Sequence, residues 1–329
     1  MSSDSDKVAL IIGIGGQDGS YLAEYLLELN YTIYGIVRRH SVCENQSTRI
    51  EHLLQDNKII CFYGDINDIA SLTEIMKKTQ PTEIYNLAAQ SHVQVSYEMP
   101  QFTCQTNAIG TLNVLEACRI NCPDARLYQA STSEMFGNSI DDDGFQRETT
   151  NFKPVSPYAC SKVFGHYLMK NYRNAYNMKT YNGILFNHES PRRGINFVTN
   201  KVAKTAVEIK YGLKDKLYLG TLDSYRDWGH AKDYVRAMHM IVNGPKPDDY
   251  VVATGETHSV RELCEVVFSY LDMNYKEYII QSEKYIRPEE LQYLKGDYSK
   301  AKKILGWEPK YKFNEMMYEM VDYWLEKLK

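Results

Sequence analysis

Short, nearly continuous apolar runs alternate along the first half of the chain with longer stretches whose apolar positions recur every three or four residues. "KVALIIGI", "TIYGIV", "KIICFY", "EIYNLAA", "RLYQAS" and "TYNGILF" form the first set. This is the pattern of strands buried on both faces. Between them, "SYLAEYLLELN" sets Tyr21, Leu22, Tyr25, Leu26 and Leu29 at helical spacing. "DIASLTEIMKKT", "NAIGTLNVLEACRIN" and "SPYACSKVFGHYLMKNYRNAY" have the same period. The alternation predicts right-handed crossovers and an α/β fold, a doubly wound parallel sheet with helices on both faces. After Phe186 the rhythm loosens. "NFVTNKVAKTAVEIKYG" and "HAKDYVRAMHMIVNG" read as helices, "KLYLG" and "YVVATG" as strands. The tail "NEMMYEMVDYWLEKL" places Met316, Met317, Met320, Val321 and Trp324 on the core side of an amphipathic helix.

The chain of 329 residues carries 38 basic and 42 acidic side chains. That balance, with no basic stripe, argues against nucleic acid as the partner. No apolar run is long enough to span a bilayer, and "MSSDSDKVALIIGIGG" does not fit a signal peptide. The seven cysteines are odd in number and scattered. They read as reduced thiols of a cytoplasmic protein, neither a disulfide framework nor a metal site.

Chemistry enters with "GIGGQDG", which joins the first strand to the first helix. Gly13, Gly16 and Gly19 follow a G-x-x-G-x-x-G spacing. Glycine permits the tight turn and the close backbone approach that a pyrophosphate needs at a helix N-terminus. This predicts a Rossmann dinucleotide-binding domain, residues 1–186 plus about 227–256. A smaller, partly discontinuous substrate domain takes about 187–226 plus 257–329. The second strand ends in "GIVRRHS". NAD sites usually carry an acidic residue here, whereas Arg38 and Arg39 suit a 2′-phosphate and favour NADP. Two exposed arginines that point at water or at a neighbouring subunit are the other reading. Asp65 in "YGDIND" either bonds adenine or caps the next helix.

"SPYACSKVFGHY" sets Tyr158 and Lys162 four apart on one helix face, with Ser156 to cap and Pro157 at the first turn. A free tyrosine has a pKa of about 10. A nearby ammonium and an oxidised nicotinamide are expected to lower it, making Tyr158 a base toward a sugar hydroxyl. Upstream, "YQASTSEMFG" runs from a strand end into a hydroxyl-rich turn that contains one carboxylate, Glu134.

These segments, with "NLAAQSHV", "NGILFNHESPRRGINFVT", "RDWGHAKDYV", "RPEE" and "AKKILGW", resemble the GDP-mannose 4,6-dehydratases, a branch of the extended short-chain dehydrogenase/reductase family. The likeness runs nearly end to end, and "NHESPRRG" together with "STSE" is its most specific part. The resemblance implies an oxidation of GDP-mannose at C4, loss of water across C5 and C6, and return of hydride to C6. In the family Thr132 and Glu134 work with Tyr158 and Lys162. Cofactor contacts carry over to Gly13, Gly16, Gln17, Asp18, Gly19, Arg38, Asp65 and Ile66. Further contacts are Leu87, Ala89, Ser91, Lys162, His188 and Arg193. Substrate contacts carry over to Asn187, Lys201, Arg226, Arg287 and Glu290. Taken alone, His188 reads as a hydrogen-bonded core histidine, and Arg226 and Arg287 equally as members of ion pairs. A homodimer or homotetramer is implied, with "RRHSVCENQSTR" near a neighbour's cofactor or else a surface loop. The family commonly has threonine where this chain has Gly15. "FQRETTNF", preceded by "DDD", looks divergent and is expected to be a surface loop. Two competing readings are an NAD-dependent sugar-nucleotide 4-epimerase, which needs no base at C5, and a non-catalytic NADP-binding sensor.

Overall fold

The computed structural model describes residues 7–39, 48–286 and 288–329. Six strands match the apolar runs: β1 (Val8–Ile12), β2 (Thr32–Val37), β3 (Ile60–Tyr63), β4 (Glu83–Asn86), β5 (Arg126–Thr132) and β6 (Thr180–Leu185). Asp249–Val252 completes a seven-stranded sheet in the order Asp249–Val252, β6, β5, β4, β1, β2, β3. Every pair in it is parallel. The most apolar run, β1, lies at the sheet's interior, and the chain reverses its direction of winding between β1 and β4. A ligand crevice is expected at the carboxyl ends of those strands.

One face of the sheet packs on the helices Gln17–Glu28 and Ala231–Val242, through Leu22, Leu26, Met238 and Ile241. The other packs on Ile69–Thr79, Gly110–Asn121 and Pro157–Ala175, through Leu72, Met76, Leu115 and Met169. A separate apolar cluster joins helices Val198–Lys210, Val260–Tyr270 and Phe313–Lys327. Met316, Met317, Met320 and Val321 are buried there. Trp324 is only partly covered, and its indole N–H donates to Asn200 Oδ1 at 2.6 Å. Among the described residues, no helix is long and apolar enough to cross a membrane.

Two segments differ from the sequence reading. The helix over "NAIGTLNVLEACRIN" begins with a π-turn, Gln105–Ile109, before Gly110–Asn121. Its Asn107 accepts from the Gln90 N–H and donates to the Gln90 carbonyl and to Ser161 Oγ. It thereby ties the loop after β4 to the helix that carries Tyr158. Widened turns of this kind are common near functional sites. "FQRETTNF" is not a simple surface loop. Gln146 is fully buried, bonding Ser139 and the backbone of Lys295. Arg147 collects Asp141, Asp143 and Asp297. Glu148 Oε1 accepts from the Val251 N–H at 2.7 Å, capping the outer edge of the last strand. An open strand edge is prone to pair with other chains, and the acidic "DDD" helps to pin the strap that covers this one.

Candidate active site

A cavity of about 1040 Å³ opens at the carboxyl ends of the strands. The glycine loop forms its floor. Gly13 has φ of 90°, and a Cβ there would stand 3.1 Å from Ala88 N. A Cβ on Gly19 would run into the Gly13 carbonyl oxygen. Gly16, at the helix N-cap, has no side chain to accept from the first turn. The loop is therefore bare, closely folded and edged by backbone N–H groups that lack helical partners, which fits a dinucleotide pyrophosphate.

Arg38, Asp65, Ile66, Leu87, Ala89 and Ser91 line the same cavity. Arg39 stands instead over the Tyr63 ring, 5.7 Å from its centroid. Asp65 is not the helix cap. Its Oδ1 accepts from the Asn67 N–H, and Asp68 caps Ile69–Thr79 by accepting from Ala70 N.

The opposite wall comes from β5 and the helix Pro157–Ala175. Ser156 caps that helix by accepting from Ala159 N. Thr132 ends β5 and accepts from the Glu134 N–H at 3.2 Å, starting the short turn Ser133–Phe136 that carries Glu134. The Thr132 hydroxyl and the Glu134 carboxylate both act on the Tyr158 phenol, the first lowering its pKa and the second raising it. Lys162 donates to the Ala130 carbonyl at 2.9 Å and lies 6.0 Å from the Tyr158 ring centroid. The expected lowering of the Tyr158 pKa does not occur in the protein alone. Burial pushes the phenol up to about 12, only partly offset by the Thr132 hydrogen bond. Burial also pushes Lys162 down to about 8.

The third wall is "NHESPRR". Asn187–Glu189 is a short strand paired with Trp228–His230. Asn187, His188 and Arg193 line the cavity. His188 stacks on Tyr234 with centroids 4.4 Å apart and bonds Asp18 Oδ2 and the Phe186 carbonyl, each at 2.8 Å. Gln17 donates to the His188 carbonyl and accepts from Ser190 Oγ. Arg193 pairs with Glu189 at 3.1 Å and covers the Phe197 ring.

At the mouth, Lys201 donates to the Tyr218 carbonyl at 2.6 Å and sits 3.7 Å from the Tyr285 ring centroid. Arg226 pairs with Glu290 at 3.0 Å and donates to the Leu291 carbonyl. The ion-pair reading of Arg226 therefore holds in this structure, while both partners still line the cavity. Arg287 lies outside the described residues, as does most of "RRHSVCENQSTR". Apart from Arg39, every other site residue named from the sequence borders this cavity.

Several positioning residues were not evident from the sequence. Asn107 is one, and Tyr285 another. Arg49 donates to the carbonyls of Arg192 and Gly15, joining the glycine loop to "NHESPRR". Arg192 donates to Glu24 and Ser20 and stacks on Tyr21, 3.9 Å from its centroid. The two adjacent arginines of "PRRG" were the only local signal for this second anchor.

Comparison with known proteins agrees with the geometry. The family model described as GDP-mannose 4,6 dehydratase matches residues 10–320. The chain is 48% identical to a GDP-mannose 4,6 dehydratase of Drosophila melanogaster, covering 96% of this chain and 85% of that one. It is also 48% identical to GDP-mannose 4,6 dehydratase 1 of Arabidopsis thaliana, covering 100% and 94%. A solved dTDP-glucose 4,6-dehydratase from Bacillus anthracis, in complex with NAD, shares the fold with a TM-score of 0.83 at 23% identity, over 97% of this chain and 96% of that one. On the family model and on near-half identity over almost the whole chain, this protein belongs to the GDP-mannose 4,6-dehydratase family.

Proposed function

We propose that the protein is an NADP-dependent hydro-lyase that converts GDP-mannose to GDP-4-keto-6-deoxymannose. The observation that carries this reading is the convergence of Thr132, Glu134, Tyr158 and Lys162 on one wall of a cavity floored by a bare glycine loop. The activity after which the family is named and a nicotinamide dinucleotide in a neighbour of the same fold support it. When bound, the dinucleotide supplies a hydride acceptor for C4, a donor for C6 and, in its oxidised form, a positive charge that favours the Tyr158 phenolate.

Tyr158 removes the O4 proton, and Thr132 donates to the same oxygen. Lys162, fixed on the Ala130 carbonyl, holds the geometry and adds positive charge beside the phenol. The ketone at C4 makes the C5 hydrogen acidic. Glu134 takes that proton and returns it to the C6 hydroxyl, which departs as water. Proton return at C5 completes the product. Arg38 is suited to the 2′-phosphate, since it lines the cavity and Arg39 does not. Lys201 and Arg226 supply positive charge for the substrate diphosphate, with Arg287 as a third cation in the same family pattern.

We take the NADP-binding unit as 1–186 plus about 227–256 and the rest as the substrate-binding unit, in a cytoplasmic homodimer or homotetramer. The six described cysteines are free thiols, in keeping with a reducing compartment.

The test uses GDP-mannose deuterated at C4, read by mass spectrometry and NMR. A dehydratase yields a product lighter by water, with the label at C6. Retained mass with inversion at C4 would make the protein an epimerase, and no turnover would leave a binding protein.

A further inference from the structure

The first turn of the helix Gln17–Glu28 carries a carboxylate, Asp18, at the place where a dinucleotide pyrophosphate is expected. An uncompensated negative charge there would repel the phosphates. The structure sets His188 against it. Its Nε2 meets Asp18 Oδ2 at 2.8 Å, and its Nδ1 meets the Phe186 carbonyl at 2.8 Å. Both ring nitrogens thus face acceptors that cannot donate. Only the imidazolium, with two N–H groups, satisfies both.

We infer that His188 acts as a fixed imidazolium whose work is to neutralise Asp18, so that the glycine loop accepts a dinucleotide diphosphate. Asp18 is in turn the positioning residue that holds His188 in that state.

The surroundings agree. Burial opposes the charge on His188, but the Asp18 carboxylate and the Phe186 carbonyl outweigh it and raise its pKa. Asp18 is held below the usual carboxylate range, because His188, Gln17 and Arg193 together outweigh its burial. The other groups near the pair are Tyr234, stacked on the imidazole, Tyr128 on β5 and Tyr158. Burial raises all three phenols above their ordinary range, so none carries charge. Arg193 is the remaining nearby cation, and Glu189 its own partner. Gln17 bonds the His188 carbonyl and Ser190, which ties the helix start to the "NHES" strand.

This rests on the dinucleotide reading, and the experiment separates the two. NADPH dissociation constants are measured by fluorescence for the wild type, His188→Gln, Asp18→Asn and the double variant. His188→Gln should weaken binding by about tenfold or more, since it leaves a buried charge without its partner. Adding Asp18→Asn should recover affinity to within about threefold of wild type, because the charge to be neutralised has gone. A double variant as weak as His188→Gln would overturn the inference and make His188 an ordinary contact. A second readout needs no cofactor and no variant. In the wild-type protein alone, nitrogen-15 NMR at about pH 7.5, a full unit above the ordinary histidine pKa, should show both His188 ring nitrogens protonated. A single ring N–H would overturn the inference as well. If the wild type bound no dinucleotide while His188 remained doubly protonated, the functional reading would fail and the charged pair would stand.

Discussion

In the mechanism proposed above, Glu134 separates this site from one that merely oxidises and reduces an alcohol. The turn Ser133–Phe136 begins when Thr132 accepts from the Glu134 N–H, so the two residues given different tasks in that mechanism are set by one local hydrogen bond. Thr132 stays beside Tyr158, the residue proposed to serve the oxidation. Glu134, two residues on, reaches the same cavity from the turn. Glutamine at position 134 keeps the size and the backbone contact but cannot take a proton. In Glu134→Gln, oxidation at C4 should therefore continue, while loss of the C6 oxygen and exchange of the C5 hydrogen with solvent should stop. Overall turnover should fall by roughly 10²- to 10⁴-fold, the range for loss of a general acid–base group. Deuterium uptake at C5, followed by NMR in heavy water, checks this. Undiminished uptake would give the base role to another group.

At the scale of elements, β5 and β6 show how closely the sheet is fitted beneath that turn. Tyr128 on β5 projects its hydroxyl onto Gly183 of β6, where a Cβ would collide with the oxygen. The hydroxyl is fully buried and finds no hydrogen-bond partner among the described residues. A buried polar group left in that state costs about 1–3 kcal/mol. Tyr128→Phe should raise stability by about 1 kcal/mol. Gly183→Ala should be strongly destabilising in the wild type and markedly less so in the Tyr128→Phe background. Urea unfolding of the four proteins measures both effects, and equal penalties for Gly183→Ala in the two backgrounds would contradict this packing. The strands themselves were legible because an apolar run buried on both faces is a local signal, and the glycine loop because its position between strand and helix is local too. The π-turn at Asn107, the strap through Gln146 and Arg147 and the partners of Arg226 were not. Each depends on partners that are distant in sequence, such as Ser161, Asp297 and Leu291. Composition gave no hint of which polar residues would meet. For the same reason, the region around the acidic "DDD" was expected to be a surface loop, although Arg147 pairs with Asp141 and Asp143 there.

Across the whole molecule, the helix of Tyr158 and Lys162 is locked to the sheet by a histidine that stays neutral. His166 is buried on that helix, with Ser131 Oγ of β5 at 3.4 Å and Asp249 of the last strand at 3.6 Å. The Phe152 ring closes over it edge-on, at 5.0 Å between centroids. Burial pushes its pKa down to about 4; Asp249 opposes this in part, and Lys170 and Arg173 reinforce it. In the unfolded chain the same histidine titrates near 6.5. Between these two values the unfolded chain binds a proton that the folded protein does not, so stability falls as the pH drops through that window and is fully present above it. One unit is worth about 1.4 kcal/mol, so His166 should remove about 2 kcal/mol between pH 7 and pH 5. Glutamine can occupy the site without titrating. Urea unfolding of the wild type and of His166→Gln at the two pH values isolates the term, because the other groups titrate alike in both proteins and cancel in the difference. The wild type should lose more stability on acidification than the variant by about that amount. Identical losses would mean that His166 is charged in the folded protein, paired with Asp249, and that the helix of Tyr158 and Lys162 is held to the edge strand by an ion pair instead of a neutral contact.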